Sequence, residues 1–275
     1  MPGTRALSLV YHTPWVKRLL WRSAYDFLAR CYRDRRWTFM NYGYRPPHGA
    51  VSLALSPEDE PDRSCIELYN LVAGAVNLAG GDLLEVGSGR GGGASFIVRH
   101  LRPRRMVGVD VSPKAVALCR ARHALPGLSF EVGDAEQLRF AAASFDAVLN
   151  IESSHCYGNR DAFLGEVWRV LRPGGYFLYA DFRPRDELRA WRDQLLTSGL
   201  RLVTEHDITR GVVAALDADD AAKRDLIQTQ VARPLLRMFR QFAALRGTFR
   251  YDQLRDGALI YRVFAFQKDA AAGVS

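Results

Sequence analysis

Residues 83–93 read Leu-Leu-Glu-Val-Gly-Ser-Gly-Arg-Gly-Gly-Gly, an apolar run that ends in an acid and enters a glycine turn. A helical segment, Ala94 to Leu101, follows. The pattern is therefore strand, tight turn, helix. Glycine at 87, 89 and 91, with Ser88 between, lets backbone approach a ligand with no Cβ in the way. The glycine run alone is weak evidence, so the acids that follow choose the ligand. Asp110 closes the apolar stretch Met106-Val107-Gly108-Val109, where a carboxylate can bind two ribose hydroxyls, with Val111 beside it. Gly133-Asp134-Ala135-Glu136 follows a short strand at Leu128–Val132. Residues 144–150 are a further buried strand, ending in Asn150. Four strand ends with acids or glycines at this spacing fit S-adenosylmethionine (SAM) better than a nicotinamide dinucleotide. Asp134 is then expected to accept from the adenine amino group, Ala135 to offer its N–H to the ring, and Asn150 to border the same ligand.

Just past that fourth strand end lie Glu152, His155, Cys156 and Tyr157. An unperturbed histidine titrates near about 6.5, so His155 could serve as general base toward a hydroxyl or a carbocation proton. Glu152 is the rival base; it could equally orient His155 or act as countercharge to a sulfonium. A loop histidine bonded to backbone is the plainer alternative. No cysteine or histidine spacing suggests a metal.

These residues need a frame. Strands are expected near 82–87, 105–110, 128–132, 146–151, 175–182, 200–205 and 258–266, with helices near 92–101, 113–123, 160–171 and 185–198. Such alternation argues for an α/β, Rossmann-like fold, a seven-stranded, mostly parallel sheet with helices on both faces. Residues 1–64 are expected to form a helical, aromatic lid, and residues 65–275 the SAM-binding domain. A helical insertion at about 207–255 precedes the last strand. An apolar helix within it carries Leu235, Leu236, Met238, Phe239, Phe242 and Leu245. Trp15 to Tyr32 has helical period with one apolar stripe. Its burial suggests a lid or a homo-oligomer built through this helix. Aromatic residues cluster over 11–47, and the expected acceptor contacts are Tyr25, Tyr42, Tyr44, Tyr157, Phe182 and Met238.

The 275 residues are 48% hydrophobic and 25% charged, so one globular domain with an elaboration is expected. No apolar run is long enough to span a bilayer, so no stable membrane insertion is expected, and the first residues lack a signal-peptide pattern. Four scattered cysteines read as reduced thiols, which points to the cytoplasm. Of the net charge of +8, +7 falls within residues 1–50. No nucleic-acid recognition motif accompanies it, so a solvated helix face is favoured over a nucleic-acid partner.

At this point the chain resembles the class I SAM-dependent methyltransferases over roughly residues 65–267. The motifs are Glu85-Val-Gly-Ser-Gly-Arg-Gly91, Gly108-Val-Asp110, Gly133-Asp134-Ala135 and Trp168-Arg-Val-Leu-Arg-Pro-Gly-Gly175. By that resemblance Glu85 faces the amino-acid end of SAM, directly or through water. Within the class, Asn150-Ile-Glu152-Ser-Ser-His155-Cys-Tyr157 and Tyr179-Ala-Asp181-Phe-Arg-Pro184 resemble mycobacterial enzymes that O-methylate phthiotriolone-type polyketide lipids. The Asn-Ile-Glu start is similar to sterol C-methyltransferases. Length and the aromatic N-terminal helix are similar to the teleocidin-pathway C-methyltransferase. Gly158 and Asn159 depart from the lipid enzymes' pattern. The resemblance implies methyl transfer to a large apolar secondary metabolite or lipid. C-methylation of a prenyl chain is favoured, with O-methylation of a polyketide or lipid hydroxyl as the alternative. RNA methylation is a distant third, because Asn150-Ile-Glu-Ser is not an Asp/Asn-Pro-Pro-Tyr amine motif.

Overall fold

The computed structural model describes residues 37–47 and 53–270. The expected helix at Trp15–Tyr32, the acceptor contact Tyr25 and the proposed oligomer-forming segment lie outside the described residues. Within them, seven strands form one sheet in the order β3-β2-β1-β4-β5-β7-β6. They are β1 (Asp82–Val86), β2 (Arg105–Asp110), β3 (Leu128–Val132), β4 (Phe145–Ile151), β5 (Leu171–Pro184), β6 (Arg201–Asp207) and β7 (Leu259–Gln267). β7 runs antiparallel to both β5 and β6, and the remaining pairs are parallel.

Burial explains the sequence pattern. β1 is buried at every position and β4 at all but one, because helices cover both faces. Edge strands β3 and β6 expose most of their residues, and their weaker apolar patterns follow from that. One face is covered by α1 (Arg63–Ala73), α2 (Gly92–Leu101) and α3 (Pro113–Arg122). α4 (Arg160–Val170) and α5 (Leu188–Leu196) cover the other. Chain order reverses across the β1–β4 pair, so the crevice at their carboxyl ends is the place where such sheets bind ligands.

Two elements differ from expectation. β5 starts at Leu171, and the Arg-Pro-Gly-Gly turn sits inside it as a register shift between Phe145 and Ala147 on β4. The insertion holds three helices, α6 (Thr209–Gln230), α7 (Leu236–Phe242) and α8 (Phe249–Arg255). α6 buries only a thin stripe, Val212, Ala215, Leu216 and Ile227, within an Ala/Asp-rich sequence, so its periodicity is faint. α7 stops before Ala244, whose φ of 49° is left-handed, and Leu245 packs beyond the helix end against Trp37 and Phe239.

α1 and α2 approach so closely that a Cβ on Gly93 would fall 1.9 Å from the Tyr69 ring. Tyr69 in turn donates to Glu85 at 2.6 Å. Gly93→Ala is therefore expected to displace Tyr69 and lower stability by about 1–3 kcal/mol, read as a lower urea midpoint with an unchanged slope.

Candidate active site

The glycine turn is held by backbone. Gly87 and Ser88 both donate to the Val109 carbonyl, at 2.8 and 3.0 Å, and Gly91 donates to Ser88 at 2.9 Å. One carboxylate completes the clasp: Asp110 accepts from Gly89 N–H and Ser112 N–H, each at 2.9 Å. Ser112 supplies the cap of α3, accepting from Ala115 N–H at 3.0 Å, so capping does not account for Asp110. Asp134 accepts from Glu136 N–H at 3.0 Å and shapes the turn after β3. These ends open onto one cleft.

Gly87, Ser88, Gly89, Asp110, Val111, Asp134 and Ala135 all line this cleft. Three expected cofactor residues do not. Gly91 faces His123 and Phe130 of the neighbouring layer, where a Cβ would sit 2.8 Å from each. Asn150 is fully buried behind the wall and donates to Val86 O, Ser153 Oγ and Tyr157 Oη. Glu85 sits beneath the loop and holds Tyr69, which does line the cleft. Burial lifts the Glu85 carboxyl to about 8, against the hydrogen bonds from Tyr69 and the Ala94 backbone. The strap Thr38–Tyr42, within the segment expected as an aromatic lid, lines the facing side of the cleft. Two buried polar atoms on residues that line the cleft, Ser88 Oγ and Asn41 Oδ1, lack a hydrogen bond within the protein. A ligand rich in hydroxyl, amino and carboxyl groups fits that wall.

The other end of the cleft is formed by Glu152, His155, Cys156, Phe182, Tyr42 and Phe242, while Tyr157 lines the cleft beside Gly87. Glu152 ends β4 with a left-handed φ of 50°. Its Oε1 accepts from Tyr42 N–H at 2.8 Å and Tyr261 Oη–H at 2.9 Å. Burial raises its carboxyl to about 7 in spite of both donors. His155 is tied to Asp181: its Nδ1 lies 2.9 Å from Oδ1, and its backbone N–H donates to Oδ2 at 3.0 Å. Burial works against the imidazolium, but the Cys156 sulfur and the Asp181 carboxylate outweigh it and raise His155 to about 10. Asp181 is fully buried; burial pushes its carboxyl up, yet Arg183 and His155 hold it far below the ordinary range. Phe182 packs between the His155 ring, 4.7 Å away, and the Tyr42 ring, 5.4 Å away.

Two expected acceptor contacts are corrected. Tyr44 packs on Gly211 of α6, outside the cleft lining. Met238 is 52% exposed and outside the cleft lining, and Phe242, one turn further along α7, is the residue of that helix that reaches the cleft. Asp181, not expected as a site residue, is fully buried behind the cleft lining, where it holds His155.

A methyltransferase domain family matches residues 84–179, the span from β1 to β5. The phthiotriol/phenolphthiotriol dimycocerosates methyltransferase of Mycobacterium tuberculosis is 41% identical over 91% of this chain and 92% of its own. A fatty-acid O-methyltransferase of Mycolicibacterium smegmatis is 40% identical over 90% of this chain and 89% of its own. The geranyl diphosphate C-methyltransferase of Streptomyces coelicolor, solved with S-adenosyl-L-homocysteine, shares the fold at a TM-score of 0.60 and 18% identity, covering 89% of this chain and 98% of its own. The chain belongs to the family of these mycobacterial SAM-dependent methyltransferases, and SAM is its cofactor.

Asp110→Ala is expected to free the Gly89 amide and to weaken S-adenosylhomocysteine binding by roughly 10- to 100-fold, measured calorimetrically. Glu85 yields a pH test. Its folded pKa lies above its unfolded value, so the folded state binds more protons and stability falls as pH rises from about 4.5 to 8. Glu85→Gln keeps an acceptor for Tyr69 and removes that fall. Urea unfolding at pH 5 and pH 9 is expected to show the variant gaining on the wild type at the higher pH.

Proposed function

We propose that the protein transfers the SAM methyl group to an oxygen atom of a long, largely apolar, lipid-like acceptor. The carrying observation is the His155–Asp181 pair at the acceptor end of the cleft. The acceptor class is supported by two relatives at 40–41% identity, one named for phthiotriol dimycocerosates and one as a fatty-acid O-methyltransferase. Methylation of a prenyl carbon, favoured from the sequence, has as its support a likeness of 18% identity, which concerns the fold alone.

The cofactor supplies a methyl group already activated on a sulfonium, so the protein's tasks are alignment, water exclusion and proton handling. Gly87–Gly89, Asp110, Asp134 and Ala135 are assigned to holding it, with Tyr69 and the strap as the facing wall. Asp181 fixes the His155 ring through Nδ1, and Nε2 is the nitrogen that takes the acceptor's hydroxyl proton. Glu152 acts as a positioning residue, because its Oε1 is spent on the strap at Tyr42 and on β7 at Tyr261. Phe182, Tyr42 and Phe242 supply apolar surface for the chain of the acceptor.

A second reading is favoured by Arg250. Its guanidinium lies 5.4 Å from the Phe182 ring and has no ion pair among the described residues. Beside a cationic His155 it would suit an acceptor that arrives as a carboxylate and needs no base. The pH profile separates the two. A hydroxyl acceptor requires neutral imidazole, so the rate rises with pH from 7 toward about 10. A carboxylate acceptor requires the imidazolium, so the rate falls over the same range. For the hydroxyl reading, His155→Gln is expected to lower kcat by about 10²–10⁴-fold and flatten the profile, with S-adenosylhomocysteine affinity unchanged. A wild-type rate that does not climb with pH sinks the base role.

A further inference from the structure

The insertion has two unlike sides. Inward, Phe239 and Leu245 bury against Trp37, and Phe242 lines the cleft. Met238, one helical turn before Phe242, is 52% and Phe249 68% exposed, the two highest values among the large hydrophobic residues described. They share a corner of the molecule: Arg250 N–H donates to Gln241 Oε1 at 3.2 Å, and Gln241 lies one helical turn from Met238. Residues 231–250 contain five arginines and no acid. Arg246 is paired with Asp217, and Arg240 reaches Gln228. Arg233 and Arg237, one turn apart and both exposed, make no ion pair among the described residues. Isolated apolar side chains are ordinary on a protein surface. Exposed Met and Phe beside uncompensated arginines are not, and the combination matches the apolar-plus-cationic face of an element that lies on an anionic membrane.

We propose that the outer face of the insertion, built on Arg233, Arg237, Met238 and Phe249, docks the protein on an anionic lipid bilayer. The arginines meet head-group phosphates, while Met238 and Phe249 enter the boundary between head groups and acyl chains. Docking by this face sets a segment that walls the cleft against the bilayer, so an acceptor dissolved in the membrane has a short path to Phe242. No helix among the described residues is long and apolar enough to cross a membrane, so the contact is peripheral. The proposal holds whichever head group the acceptor carries and is tested without any acceptor.

The test is sedimentation of the full chain with vesicles of phosphatidylglycerol and phosphatidylcholine, against vesicles of phosphatidylcholine alone. The wild type is expected to bind the anionic vesicles more tightly and to lose that preference as salt rises. Arg233→Glu with Arg237→Glu is expected to lower partitioning by more than about tenfold, at roughly fivefold per basic residue lost. Met238→Asp with Phe249→Asp lowers it on both vesicle types. All four positions are exposed, and unchanged S-adenosylhomocysteine binding verifies that each variant is folded. Equal binding to neutral and anionic vesicles overturns the proposal. So does undiminished binding by a variant that carries all four of these substitutions, which would place the membrane contact elsewhere in the chain. Loss of a wild-type oligomer in that variant without vesicles would make the face an interface between copies and would also overturn it.

Discussion

The His155 end of the cleft depends on one buried charge. Asp181 has no solvent exposure, and an unpaired carboxylate there would be prohibitive. Its oxygens are instead surrounded: Arg183 at 3.1 Å, Ser154 Oγ at 2.6 Å, and the ring and backbone of His155. Arg183 lies over Trp191 at 4.7 Å, and Trp191 donates to Tyr179 at 3.2 Å, so the charge is also anchored in the apolar layer under α5. Because the carboxylate must be satisfied, the loop after β4 has little freedom. Ser154 and His155 are drawn to β5, and that sets the ring of His155 beside Phe182 at the cleft. Removing any one partner leaves the others around a desolvated charge, and such losses are larger than the worth of a single bond.

The cofactor end is organised differently. Asp110 borders the cleft and spends its two oxygens on backbone amides, one from the glycine turn and one from the start of α3. Here the carboxylate shapes main chain rather than a side chain. The strap joins the two ends: Trp37 O accepts from Arg90 beside the glycine turn at 3.1 Å, and Tyr42 N–H reaches Glu152 five residues later. A short extended segment thus spans from the glycine turn to Glu152.

Which residues gather at the glycine-turn end of the cleft was largely legible in the sequence because they are local. Strand, turn and acid lie within a few positions of each other, and burial on both faces makes the central strands near-continuous apolar runs. The acceptor end was less legible because its contacts are remote. His155 and Asp181 are 26 residues apart, and nothing in the sequence around Asp181 reveals which side chain it serves. Glu85 is expected to face the cofactor directly or through water; it lies outside the cleft lining and holds Tyr69 of α1, which lines the cleft, a contact 16 residues away that the local pattern does not show. Tyr42 and Tyr44 share the spacing of one strand face, yet Gly43 between them has a φ of 87° and turns Tyr44 onto Gly211. On α7, a step of one residue rotates the side chain by about 100°. That step separates exposed Met238 from buried Phe239.

The central claim is that the acceptor atom is oxygen, held on an apolar chain next to His155. The direct measurement is to supply SAM carrying a ¹³C methyl group with long-chain hydroxylated, carboxylated and prenylated lipids, and to record the carbon spectrum of the product. The account predicts a single labelled methyl in the region of ethers or esters, from a hydroxylated or carboxylated lipid. A labelled methyl bonded to carbon, from the prenylated lipid, would contradict it.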